Sequence, residues 1–323
     1  MRKRTFFWII TCIVAGLLAV VQPQGAFAKD YPTKPIQLVY PWPAGSGGDI
    51  ATRLLADAAG KVLGQPVKVI NVPGGNGTIG AAQVAKAKKD GYELGSLPIG
   101  PAVTQTVFSK DLPYTTADLE PICQFTYLPL VLVAGAHTPY KTLDEFVSFA
   151  KSNPEKVIFC IPGVGSVPHL AMLSLESGFG IKMKGVPYKG LAPGVTAVVG
   201  GHVDVAPASL AGVQSFKQAG KLRILALFAG KRLDLAPDVI TVEERGIKTY
   251  PNIWTGIFGP KGLNPAIFKK LETSFAKAVK SKEFGDSMLK AQQPVVFLNS
   301  KAFGEKIAAD LKYFKEFAAE SKK

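Results

Sequence analysis

Apolar runs of four to seven residues alternate along this chain with stretches in which apolar positions recur every three to four residues. That alternation predicts strands interleaved with helices, an α/β fold with largely parallel sheets. One unit occurs twice: a strand, a glycine-rich loop, a helix, a second strand and a Pro/Gly turn. The first copy has a strand over 37–40, a loop from Pro43 to Asp49, a helix to Gly64, a strand over 67–72 and the turn Pro73-Gly74-Gly75. The second has a strand over 157–161, a loop from Pro162 to His169, a helix to Gly178, a strand over 181–186 and the turn from Pro187 to Gly190. In the first helix the spacing predicts a buried stripe of Ile50, Leu54, Leu55, Ala58 and Val62, with Arg53, Asp57 and Lys61 outside.

A second glycine cluster, from Gly74 to Thr78, opens a small-residue helix, and Asp90-Gly91 turns the chain into a strand over 92–97 that ends in the loop Pro98–Pro101. The apolar segment 122–133 reads as a crossing into a second lobe, and 254–260 as the return. Between them lie a helix opened by Thr142 with Glu145 at capping-box spacing, a helix over 192–199, a short strand from Asp204 to near Ser209 and a strand over 222–228. Phe268, Leu271, Phe275, Ile307, Leu311 and Phe314 fall at helical spacing and predict a packing brace. Two crossings predict two hinged lobes: 29–125 with 255–323, and 126–254.

The glycine-rich loops carry the candidate chemistry. Each delivers the chain into a helix start, where unpaired N–H groups and the positive end of the helix dipole favour an anion. In a parallel sheet several such loops share one edge, and ligands bind there. The loop from Pro43 to Asp49 lacks a Gly-Lys-Ser/Thr ending and the dinucleotide glycine spacing, so no nucleotide is expected. Asp49 reads as a capping or early-helix carboxylate and Ser46 as a donor. A Ser166–His169 hydrolase lacks the Gly-x-Ser-x-Gly elbow, and His137, His169 and His202 offer no metal-ligand spacing. Tyr188 is a possible phenol donor, Lys189 a surface charge, and Asp204 a rim residue with a structural role as the simpler reading.

Arg2-Lys3-Arg4, the apolar run Phe6–Val21 and Ala26-Phe27-Ala28 predict an export signal, residues 1–28, cleaved after Ala28. The loss of those three basic residues takes the formal charge from +14 to +11. The remaining lysines are scattered without arginine-aromatic interleaving, which suits steering of small anions and excludes nucleic acid. Cys123 and Cys160 allow either a disulfide or two buried thiols. No cofactor is expected, and the expected form is a monomer.

These residues resemble a known family. Tyr31-Pro32-x-Lys34-Pro35-Ile36, the loop Pro43–Asp49 with Arg53-Leu54-Leu55, Asn71-x-Pro73-Gly74 and Gly77-x-Ile79-Gly80-Ala81 are similar to the receptors of tripartite tricarboxylate transporters, the TctC/Bug family. So are Asp90-Gly91-Tyr92, Pro168-His169-Leu170-Ala171, Val186–Gly190 and Gly200-Gly201-x-Val203-Asp204, in family order. The resemblance implies a periplasmic, type II-like, two-lobed binding protein that takes a small carboxylate and hands it to membrane transporter subunits, without being an enzyme. A sensor-type binding protein, or less readily the Ser166/His169 hydrolase, is the alternative. By resemblance and placement on the ligand edge, the contacts would come from Pro43, Ala44, Gly45, Ser46, Gly47, Gly48, Asp49, Asn76, Thr78, Gly100, Gly165, Ser166, His169, Tyr188, Asp204 and Ser209. Where the family often has threonine or asparagine before the aspartate, this chain has Gly48; where many members carry Asp-Asn after the Asp204 strand, it has Ala206–Ser209.

Overall fold

The structure, a computed structural model, describes residues 31–248 and 252–320; the export signal and its cleavage point lie outside the described residues. The first half contains β1 (Ile36–Tyr40), α1 (Gly47–Leu63), β2 (Val67–Asn71), α2 (Thr78–Ala85) and β3 (Glu93–Pro98). A π-helical segment, Gly100–Thr104, then runs into α3 (Gln105–Phe108), and β4 (Leu119–Gly135) follows. The second half contains α4 (Leu143–Ser152), β5 (Ile158–Ile161), α5 (Val167–Phe179), β6 (Lys184–Pro187), α6 (Leu191–Val199), β7 (Val205–Ser209), α7 (Leu210–Gln218) and β8 (Leu222–Leu227). The chain returns through β9 (Asn252–Pro260) and ends with α8 (Pro265–Val279), α9 (Lys282–Lys290), β10 (Val295–Asn299) and α10 (Ser300–Glu320).

The strands follow the order β2-β1-β3-β9-β4-β7-β5-β6, with β10 and β8 added against β4. Pairing is parallel inside the two repeated units, β1 with β2 and β3, and β5 with β6 and β7. It is antiparallel wherever β4 or β9 takes part. The sheet is therefore mixed rather than largely parallel, because one long strand carries the chain out and another brings it back. β4 changes partners along its length: Leu119–Pro129 pair with β9, Leu130–Ala134 with β7 and Val131–Gly135 with β8 on the opposite side. Its burial is almost continuous, which hides the strand's period from pattern reading. The pattern reading also passed over β10, a short strand against β4.

Each lobe has its own apolar interior. One cluster joins Leu38, Leu55, Phe125, Leu271 and Phe275 in the first; another joins Leu132, Phe146, Met172 and Phe228 in the second. In α1 the buried positions are Ala51, Thr52, Leu55, Ala56, Ala58, Ala59 and Leu63, whereas Ile50 and Val62 are 43% and 39% exposed. The predicted stripe was thus misplaced by about one position. α1 is covered by α8 and α9 as well as the sheet, and small residues let those neighbours approach closely. The predicted outer face of Arg53, Asp57 and Lys61 is exposed.

Tail residues Leu271, Phe275, Ile307 and Phe314 are buried as the spacing predicts. α10 also accepts the indole N–H of Trp254 on Asp310 Oδ2 at 2.6 Å. Cys123 and Cys160 are free and buried in different clusters, so the disulfide alternative falls. Burial pushes the Cys160 thiol up to about 12, and an inert thiol is the result.

Candidate functional site: a cleft ringed by helix starts

A cavity of about 570 Å³ lies between the lobes, below the ends of β1, β3, β6 and β7. Five helical segments begin on its wall: α1 at Ser46–Gly48, the π-helical segment at Gly100–Pro101, α5 at Ser166–Pro168, α6 at Gly190–Pro193 and α7 at Ser209–Gly212. Between those starts the wall carries the apolar surfaces of Trp42, Leu128, Val195 and Ile253, with polar groups from Tyr40, Thr255 and Lys189 among them.

The two glycine-rich loops use one backbone device. Gly45 and Gly165 take φ of +85° and +72°, in the left-handed region that glycine occupies without strain. The following serine is the N-cap with nearly identical dihedrals, −72° and 157° at Ser46, −72° and 155° at Ser166. Each serine hydroxyl accepts the N–H three residues on, and each glycine N–H donates to the side chain four residues on.

In the first loop that side chain is Asp49, only 2% exposed. Its carboxylate accepts from Gly45 N (2.9 Å), Arg53 Nε and Nη2 (both 3.0 Å) and Asn71 Nδ2 (2.8 Å). Asn71 also donates to the Trp42 carbonyl and accepts from Arg53, so one network holds both ends of the loop. Burial alone would raise the Asp49 pKa, but the hydrogen bonds from Arg53, Asn71 and Gly45 outweigh it and hold the carboxyl below its ordinary value. The N–H groups of Ser46, Gly47 and Gly48 find no acceptor among the described residues. Three donors at a helix start, held by a charged network behind them, are set for an anion.

The second loop is less generous. Ser166 N–H and Oγ–H are both spent on the Gly163 carbonyl, at 3.1 and 2.7 Å, and Pro168 has no N–H to offer. His169 Nδ1 accepts from Gly165 N at 3.1 Å, and burial lowers the pKa of the imidazole. A neutral ring therefore sits where the first loop has a carboxylate. Across the cleft mouth Asn76 Nδ2 donates to the Val164 carbonyl at 3.3 Å, joining the lobes. Val167 and Leu170 of α5 share an apolar cluster with Val103 and Phe314 of the first lobe.

The residues matched by the tripartite tricarboxylate transporter family receptor model (TctC) are 51–320. The chain belongs to this family. Among the receptor's relatives, the "UPF0065 protein in gbd 5'region" of Cupriavidus necator is 34% identical over 310 residues, covering 94% of this chain and 92% of the relative. A TctC solute-binding protein from Polaromonas superposes with a TM-score of 0.71 at 31% identity, covering 90% of this chain and 99% of that one. MatC from Rhodopseudomonas palustris, solved with bound malate, gives 0.79 at 26%, covering 88% and 99%. The receptor is thus a TctC-family periplasmic solute-binding protein, and no helix among its described residues is long and apolar enough to cross a membrane.

Of the predicted contacts, Pro43, Ala44, Gly45, Ser46, Gly47, Gly48, Gly100, Ser166 and Ser209 line the receptor's cleft. Asp49 stands behind the wall as the loop's internal counter-charge, and the Gly45 N–H is consumed by it. Asn76 is a bridge to Val164, Thr78 bonds the Gly75 carbonyl at 2.7 Å, and Gly165 and His169 are tied to each other behind the wall. Tyr188 is half-buried against the second lobe's interior. Asp204 accepts from Ile158 N at 2.7 Å and faces His137 at 3.5 Å, so it stitches β5 to the start of β7 and leaves the ligand edge.

Pattern reading missed Tyr40, Trp42, Thr255 and Lys189 on the wall and Asn71 behind it. Asn71 had a signal in the Asn71-x-Pro73-Gly74 motif, and Lys189 had one in Val186–Gly190, where it reads as a surface charge. Gly48 also gains a reason: a Cβ there would lie 2.1 Å from the Tyr40 hydroxyl. Tyr40 occupies the space into which a larger residue before the aspartate would project.

Proposed function

We propose that this receptor captures a small organic acid in the interlobe cleft and delivers it to the membrane subunits of a tripartite tricarboxylate-type transporter, without catalysing a reaction. The observation that carries this reading is the set of unpartnered N–H groups at Ser46, Gly47 and Gly48, held in place by the Asp49–Arg53–Asn71 network. Fixed donors of this kind replace the water lost by a carboxylate without having to reorganise. Each bond to a charged acceptor contributes about 1.5–3 kcal/mol, so three offset much of the association cost, and micromolar binding needs about 8 kcal/mol. MatC, with malate bound, supports an organic acid as the ligand class. Against hydrolysis stands the Ser166 hydroxyl, which gives its proton to the Gly163 carbonyl and meets the His169 backbone rather than its ring.

Export with cleavage after Ala28 and a monomeric form belong to the same proposal. So does the lobe division of 29–125 with 255–323 against 126–254, which the change of partner along β4 near Pro129 supports. Protein stripped of ligand by unfolding and refolding is to be titrated calorimetrically with mono-, di- and tricarboxylates. Micromolar binding of at least one is expected, and silence across the panel would sink the reading.

A further inference from the structure

The two capping serines each accept a backbone N–H, yet they spend their own protons differently. Ser166 Oγ–H goes to the Gly163 carbonyl at 2.7 Å, whereas Ser46 makes no such bond to the carbonyl three residues back among the described residues. What stands behind each serine also differs. Six residues before Ser166 is Cys160, whose buried thiol packs against Gly194 of α6. Six residues before Ser46 is Tyr40, 4% exposed, with its phenol oxygen 3.4 Å from Ser46 Oγ. That contact is long for two hydroxyls, but Ser46 Oγ is the only acceptor the phenol meets among the described residues. The same phenol is pressed against the helix start, where a Cβ on Gly48 would lie 2.1 Å from it.

A buried O–H needs an acceptor, and burial keeps this proton on the phenol by raising its pKa. The phenol therefore donates to Ser46 Oγ. A serine oxygen has two lone pairs: one takes the Asp49 N–H at 3.3 Å and the other takes Tyr40. With both filled, the Ser46 proton is turned away from them, and Ser46 lines the cleft beside the free amides of Gly47 and Gly48.

From this hydrogen-bond count we infer that Tyr40 is a positioning residue that turns the Ser46 hydroxyl proton into the cleft, as a fourth donor beside the three amides. The inference rests on the carboxylate-binding reading above and deepens it. An ionised carboxylate has about four lone-pair sites, so three N–H groups and one O–H match a single acid group. The second loop, with Cys160 in place of the tyrosine, has no hydroxyl behind Ser166 and leaves that serine proton on its own turn.

The test is a double-mutant cycle read as ligand affinity. Succinate, malate and citrate are titrated calorimetrically into the whole mature protein, and the tightest binder is then titrated into Tyr40→Phe, Ser46→Gly and the double variant. Glycine is tolerated at a helix N-cap, so Ser46→Gly removes the hydroxyl while largely keeping the cap. It should weaken binding at least about tenfold, the effect of one hydrogen bond to a charged group. Tyr40→Phe leaves the Ser46 proton free to turn back to its own loop and should weaken binding about threefold or more. The double variant should bind no more weakly than Ser46→Gly, because Tyr40 acts only through that hydroxyl. Losses that multiply in the double variant would mean that Tyr40 acts by itself, through packing or by touching the ligand, and they overturn the inference. Unchanged affinity in either single variant does the same, and all of these results leave carboxylate binding standing. Thermal melts establish that each variant is folded, and Tyr40→Met serves if the Phe variant is not. Failure of all three acids to bind the unaltered protein brings down the binding reading and this inference with it.

Discussion

The loops Pro43–Asp49 and Gly163–His169 share glycine conformation, serine cap and glycine-to-side-chain hydrogen bond, yet they present different chemistry to one cleft. The first keeps three amides unspent and stands on a buried carboxylate that a guanidinium pairs and a side-chain amide hydrogen-bonds. The second spends its serine N–H and hydroxyl on its own turn, loses another amide to Pro168, and stands on a neutral imidazole. One backbone design is thus an anion grip or a neutral wall depending on which residue occupies the fourth helical neighbour and on a single proline.

The largest expected effect breaks the first loop from behind. Asp49→Ala removes the acceptor for Gly45, Arg53 and Asn71, and loss of one partner of a buried ionic network costs about 3–5 kcal/mol. Arg53 is partly exposed and can rehydrate, so the low end applies. Denaturant unfolding should record that loss, with carboxylate affinity falling at least tenfold. His169→Ala should cost clearly less, and equal losses at the two sites would show that the loops are energetically equivalent.

A smaller effect tests the fit between Gly48 and Tyr40. Gly48→Ala drives a methyl group into the Tyr40 hydroxyl and should destabilise by about 1–3 kcal/mol. Adding Tyr40→Phe removes the nearest atom but leaves ring carbon Cζ at 3.0 Å, so the double variant should recover only part of the loss in a thermal melt. Full additivity of the two changes would mean that the contact is not the cause.

The smallest effect is pH-dependent and belongs to the second loop. Because burial lowers the His169 pKa from 6.5, the unfolded chain binds its proton first as pH falls. Its contribution to stability is complete above about 6.5 and declines as pH drops from there towards the folded pKa. Asp49, also lowered, loses its contribution only as pH falls from its ordinary 3.8. Melting temperatures between pH 7 and 5 should therefore decline in the unaltered receptor, and His169→Gln should flatten that part of the curve. An unchanged slope in the variant would remove His169 from the account.

Much of this was legible along the chain. Glycine followed by a serine cap is a local signal, decided by backbone conformation within a few residues, so both loops and their helices could be located from pattern alone. The crossings at 122–133 and 254–260 showed as long apolar runs, though near-continuous burial concealed that β4 extends over 119–135 and pairs antiparallel. The α1 stripe was misjudged because coverage by α8 and α9 sets which side is buried, and both arrive from the far end of the chain.

Residue types and spacing alone determined the alternation of elements, the repeated loop and its bias towards anions, since caps, glycine φ and helix dipoles are short-range properties. Tertiary structure alone decided what each polar group does. Asp49 turned inward because Asn71, 22 residues away, closes a network on it, and Asp204 turned to Ile158 for the same kind of reason. Lys189 reached the cleft wall because the fold lays the end of β6 across from the start of α1. Hydrogen-bond partners and like-lobe neighbours are matters of distance in space, and spacing along the chain carries no record of them.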